Sequence, residues 1–514
     1  MKSTTLSLFA VTASLAVVTG VAALNPPPPE RGTTAGGTSA ARLPVQRSTL
    51  LCPAAAPSGA GETTYTAFTP PHEGAGPPAH PARLLPAAGH GPVAGDRSDK
   101  GDKGGKTTQA AKGERDAGKP VLSLVEPGRP VTVTTDRPDA PALLGTADGA
   151  LAPGWTAQLT TVVGAGDGRG LYGVACTAPD TSFWFPGAST AKSRQDYVHL
   201  TNPDGSAAVV DLELYGVDGR IGTPAGEGVG VPPRSTVQVL LPTLTDAPQD
   251  NLTLHVAARS GRVGAALRAA EEKLGGDWLP PSADAAAGVV LPGIPADATS
   301  VRLVVFAPGP RDADVMVRLA GPGGSISPAG HESLHIRSGT TAVEELGDVT
   351  RGEAGSLLLT AEHGSAPFVA ALRVTRGKGE ARETAFAAAT RAIDERGTVA
   401  DNRAQGGTLA LTAPGRAARV RVTASAGSGG GTPVTRTYEV GAGSTLAVEP
   451  PRPAGGRGVY ALTVEKVSGG PVYAARVLAL PKDGVPLFTL QPVSDDRSTV
   501  AVPEAEQDLS MLND

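Results

Sequence analysis

The stretch Tyr197-Val-His-Leu-Thr-Asn-Pro203 decides how the rest of the chain reads. An alternating segment follows it as far as Tyr215, and Gly264-Ala-Ala-Leu-Arg268 closes the frame. The same frame returns twice. Ala307-Pro308 and Ala413-Pro414 stand where Asn202-Pro203 stands, and Val369-Ala-Ala-Leu-Arg373 and Tyr473-Ala-Ala-Arg476 stand at the close. Between these marks lies a small-residue turn, Arg234-Ser-Thr236, Gly339-Thr-Thr341 and Gly443-Ser-Thr445, whose threonines are 105 and 104 residues apart. Three marks that keep one period define a repeat, and each unit is domain-sized rather than solenoid-sized.

Within the frame the apolar period is two. Val210, Leu212 and Leu214 alternate with Asp211, Glu213 and Tyr215, and Leu252, Leu254 and Val256 alternate with Thr253 and His255. That is the signature of half-buried strands. Ser260-Gly261, His363-Gly364 and Gly469-Gly470 then read as hairpin turns. Helix signals are weak, the best being Ala265 to Leu274, whose repeat partners look like strands. Short strands with frequent turns in units of about 100 residues predict an all-β fold of tandem immunoglobulin-like β-sandwich repeats.

Outward from the repeats, Val121–Val125, Val131–Thr135, Ala157–Val163 and Leu171–Cys176 are β-branched runs separated by Pro or Gly. Cys52 and Cys176 are the only cysteines. In an exported chain such a pair reads as one disulfide, tying the strand at residues 48–53 to this block as an N-terminal β module. Closing a loop of that length contributes about 4–5 kcal/mol through the unfolded chain. Replacing either cysteine with Ser is expected to weaken that module and leave the three repeats nearly untouched. Residues 86–119, rich in mixed Lys and Asp among Gly and Ala, read as a disordered insertion that a protease should cut first. The domain map is then a signal peptide or membrane anchor at 1–24, a Pro-rich stalk at 25–47 and the β module at 48–182. Sandwich repeats follow at 183–287, 288–385 and 386–490, with an acidic tail at 491–514.

The export reading rests on Lys2 followed by an apolar run from Leu6 to Leu24, with Val21-Ala-Ala23 as a small-residue cleavage site. The chain is therefore expected outside the cytoplasm, secreted or held at the membrane only through this segment. A net charge of −5 over 514 residues gives no footprint for nucleic acid. With aromatics at 4%, the cores must be filled by Val, Leu and Ala.

His331-Glu332-Ser-Leu-His335 matches the HExxH pattern of zinc proteases, which needs a helix to bring both imidazoles to one face. Here it lies between Pro328-Ala-Gly330 and Ser338-Gly339 and aligns with Glu227–Val231 of the first repeat, so a surface strand is expected. Gly101–Thr107 is one residue short of a phosphate loop and has neither the strand nor the helix that motif needs. Phe183-Trp-Phe-Pro-Gly187 could stack a sugar, but the second repeat has Val289-Val-Leu-Pro-Gly293 there, so Trp184 reads as core or inter-domain packing.

Cys52-Pro53, Phe185-Pro-Gly187, Leu200-Thr-Asn-Pro203 and Leu214-Tyr-Gly-Val-Asp-Gly219 resemble the DUF5719 family of exported actinobacterial proteins of uncharacterised function. The resemblance implies an exported, envelope-associated and non-enzymatic protein, and adds no site. The expectation is a structural, adhesive or protein-binding scaffold without cofactor or catalytic residues, its partner an envelope protein or cell-wall polysaccharide. The alternative is a metal-dependent hydrolase built around His331, Glu332 and His335.

Overall fold

The computed structural model describes residues 41–56, 61–72, 76–89, 118–166 and 168–502. The N-terminal segment 1–24, most of the stalk, residues 90–117 of the expected insertion and residues 503–514 of the acidic tail lie outside the described residues. Within 86–119, Ala88–Gly89 is a short strand that pairs with Ser235 and Thr236. Two compact units are present. The smaller (residues 1–43 and 501–514) is described only at residues 41–43 and 501–502, which belong to the strands Ala41–Pro44 and Thr499–Val502. The larger, Pro44–Val500, holds everything that follows.

Nearly every element is an antiparallel strand, as the alternation required. Where the composition hinted at helix, Gly264–Glu271 is a strand pairing on both edges. The first repeat contains eight principal strands: Ser182–Ala188, Arg194–Thr201, Ala208–Gly216, Val229–Val231, Ser235–Leu240, Leu252–Ser260, Gly264–Glu271 and Gly275–Leu279. One sheet takes them in the order first, sixth, third, fourth, and the other in the order fifth, second, seventh, eighth. Buried Phe185, Leu212 and Leu254 of one sheet meet Val198, Val237 and Leu267 of the other in one apolar core. The second and third repeats have the same order. The register also repeats. Thr201 pairs with Thr236 and Gly264, Phe306 with Thr341 and Val369, and Thr412 with Thr445 and Tyr473.

The N-terminal β module is a fourth copy. Its strands Arg47–Cys52, Gly61–Phe68, Ala82–Pro86, Leu122–Leu124, Val131–Thr135, Leu143–Asp148, Thr156–Val163 and Gly170–Ala175 fall into the same two orders. A backbone detail confirms the match. The residue two before the fifth strand's paired threonine, or before Pro130 in this copy, has positive φ in all four units: Gly128 at 85°, Arg234 at 51°, Gly339 at 68° and Gly443 at 64°. Cys52, Phe185, Leu291 and Val399 likewise occupy one core position, just before the first strand bends away from its partner. We number the units one to four along the chain. The expected boundary at 385/386 falls inside the eighth strand of unit three, Glu383–Ala388, and that at 490/491 inside the eighth strand of unit four, Phe488–Val493.

The four units close head to tail. The outer face of the first-strand sheet of each unit lies on the second-strand sheet of the next. Leu51 of unit one abuts Gly264 of unit two, where an added Cβ would sit 2.7 Å from the leucine. Trp184 meets Phe306 at 5.2 Å, and Thr341 donates to Thr253 Oγ1 at 3.0 Å. Thr445 donates to Ser356 Oγ at 3.0 Å, the same bond one repeat on. Unit four then returns to unit one: the amides of Ala400 and Asp401 donate to Gln158 Oε1 at 2.9 and 2.8 Å, and Phe68 packs on Ala400 and Ala461. The four eighth strands meet in the middle, each against two others. Units one and two even share a nine-stranded sheet through the parallel pairing of Gly170 with Gly276.

Candidate functional sites

The HExxH pentad forms no helix. Ser333–Ile336 is a strand paired with Ala313–Met316, with Leu334 packed inward and His335 outward beside Asp314. His331 Nδ1 lies 2.5 Å from Glu344 Oε1 and His335 Nδ1 lies 2.7 Å from Asp314 Oδ1. The hydrogen bond that His335 donates to Asp314 raises the His335 pKa. Each imidazole thus has its own carboxylate. Among the described residues no three His, Cys, Asp or Glu side chains gather as a metal site. The metal-hydrolase alternative around His331, Glu332 and His335 is therefore not favoured.

Cys52 and Cys176 are joined, with Cα atoms 4.4 Å apart across 124 residues of chain. The bond ties the first strand of unit one to the end of its eighth strand, the element unit one contributes to the centre. Among the described residues no helix is long and apolar enough to cross a membrane.

At the centre, the cores of units one, two and three are each completed by the next unit. Trp278 of unit two enters the core of unit one, Phe386 of unit three that of unit two, and Phe488 and Leu490 of unit four that of unit three. Register places Trp278, Phe386 and Leu490 at one position, opposite Arg268, Arg373 and Val477. Unit one has Gly173 there, opposite Thr160. A Cβ on Gly173 would come within 2.6 Å of Thr489 and 2.8 Å of Gln491. At this position the fourth joint is polar, Thr489 Oγ1 donating to the Gly173 carbonyl, while Leu171 packs on Leu478 and Leu487 beside it. Within unit four, buried Arg476 donates to Gln491 and to the Asp401 carbonyl, and at the joint of units one and two the Gly173 amide donates to Asp277 Oδ1 at 2.9 Å. Burial raises the Asp277 pKa well above the carboxylate range, Glu383 adding to the effect. Burial pushes Glu383 up to about 8 against the opposing charge of Arg169 at 3.4 Å.

A second cluster lies at the seam between units two and three. Trp184, half-buried, stacks on His255 with ring centroids 3.7 Å apart and planes 6° from parallel. Tyr215 lies 4.7 Å from Phe306 of unit three. Trp184 is thus inter-unit packing. The polar rim of this cluster is Ser182, His255, Glu213 and Arg220, joined by side-chain bonds from one to the next. The sequence reading passed over it because its members sit on different strands with no local motif.

Fold and sites together define an all-β protein of four sandwiches, closed head to tail, tied by one disulfide and without a preformed metal centre among the described residues. The chain belongs to the family of unknown function DUF5719, whose model matches residues 131–451. That span runs from the fifth strand of unit one to just beyond the fifth strand of unit four. No curated relative matches the chain.

Proposed function

We propose that the chain works outside the cytoplasm as a rigid structural or partner-binding scaffold of the cell envelope, not as a dedicated metabolic enzyme. The observation that carries this reading is the closure of four units, three of the joints through shared cores, tied by a disulfide of the kind that persists in oxidising compartments. Such closure spends the apolar faces on rigidity and leaves the outer strands and hairpins of all four units for contact. The partner class is an envelope protein or a cell-wall polysaccharide.

Fractionation of producing cells under thiol-blocking conditions tests it. The expected result is a chain in the envelope or exported fraction, with Cys52 and Cys176 recovered as one linked peptide. A reduced chain in the cytoplasmic fraction overturns the reading.

A further inference from the structure

We propose that Ser182, His255 and Glu213 form a nucleophilic relay on the face of unit two that accepts acyl groups from activated esters. Ser182 Oγ lies 3.0 Å from His255 Nε2, and His255 Nδ1 lies 2.9 Å from Glu213 Oε2. This is the order of a nucleophile, a base and a carboxylate that orients the base. Glu213 is fixed in turn by the Tyr215 hydroxyl at 3.0 Å and Arg220 at 2.9 Å. With Glu213 accepting from Nδ1–H, the Nε2 lone pair is left for the serine hydroxyl. The imidazole is 15% exposed and capped by the stacked Trp184, while Ser182 is exposed. The base is sheltered and the nucleophile open to a substrate.

The arrangement belongs to unit two alone. The same three positions carry Thr49, Leu144 and Leu85 in unit one, Gly288, Leu358 and Arg318 in unit three, and Arg396, Thr463 and Thr423 in unit four. The fold does not need a serine, a histidine and a glutamate there, since three other units build the same sheet without them.

The chemistry balances with water as co-reactant. Ser182 Oγ attacks the ester carbonyl carbon as its proton passes to Nε2, and that proton then leaves with the alcohol. Water attacks the acyl-serine, its proton passes to Nε2, and the acid departs as the proton returns to Ser182. Leu252–Ser260 is laddered on both sides, which commits its amides. The bond from the Ala258 amide to the Thr181 carbonyl turns the Ser182 amide to the outer edge. A dedicated oxyanion donor is worth about 10²–10³ in rate. The relay therefore suits esters with good leaving groups.

A fluorophosphonate probe on the intact folded chain tests this. Labelling should map to Ser182, disappear in Ser182→Ala and in urea, and fall about a hundredfold or more in His255→Gln. Burial lowers the His255 pKa while Glu213 raises it, and Tyr215, Arg220, Ser182, Trp184 and Phe306 are the other groups around it. Glu213→Gln should slow labelling and move the pH midpoint of its rate downward, which a merely structural role would not do. Circular dichroism of each variant confirms that the fold is retained. No labelling of the folded chain, or labelling unchanged in Ser182→Ala, overturns the proposal.

Discussion

Gly173 sets the character of the fourth joint. Its three counterparts bring a tryptophan, a phenylalanine and a leucine to the neighbour's core, whereas Thr489 and Gln491 occupy the space a Gly173 side chain would need. Gly173→Ala should cost about 1–3 kcal/mol through overpacking, read as a lower urea midpoint. The nearby carboxyls make a second prediction. Burial holds Asp277 and Glu383 protonated in the folded state, Glu383 to about pH 8. Their stabilising share is complete below the unfolded values. For Glu383 it falls as pH rises from about 4.5 towards about 8 and then levels, since the unfolded chain ionises first, and Asp277 acts in the same direction. For Glu383 the loss is at most about 5 kcal/mol. Urea midpoints between pH 5 and 8.5 should fall in the native chain and flatten in the Asp277→Asn, Glu383→Gln double variant.

The eighth strands are the elements that convert four sandwiches into one body. Phe386, 2% exposed in the core of unit two although it belongs to unit three, is the clearest case. Phe386→Ala should cost about 3–5 kcal/mol and increase amide exchange in unit two as well as unit three, measured by hydrogen exchange. Most of these elements were legible in the sequence. Val210, Leu212 and Leu214 alternate cleanly, and Trp184 is apolar in register with Val290, so strand and packing roles followed directly. The fourth copy was harder to see because Pro130 replaces the threonine mark and residues 90–117 interrupt its frame between Gly89 and Leu122. Gly264–Glu271 is alanine-rich and locally helix-prone, and pairing on both edges overrides that propensity. The Ser182–His255–Glu213 rim carried no local signal, since cross-strand neighbours lie 73 and 42 residues apart.

At the scale of the whole molecule, shared cores bear on the disulfide. Cys52→Ser should cost about 2–5 kcal/mol. Because Ala266 and Trp278 of unit two lie in the core that Cys52 helps fill, that loss should not stay within unit one. Residues 44–500 should unfold in one transition, with circular dichroism and tryptophan fluorescence coinciding, and Cys52→Ser should shift both probes together. Separate transitions would show that the joints do not couple the units.

Closure also limits how such a chain can evolve. An open stack of repeats lengthens or shortens by whole units, because each new unit needs only a neighbour. Here the last unit must land on the first. Gain or loss of one sandwich would alter the angle available to every joint, and a bulkier residue at 173 would obstruct the final one. Relatives are expected to diverge in hairpins and insertions while the count stays at four, so that variety accumulates at the rim and arithmetic is conserved at the hub.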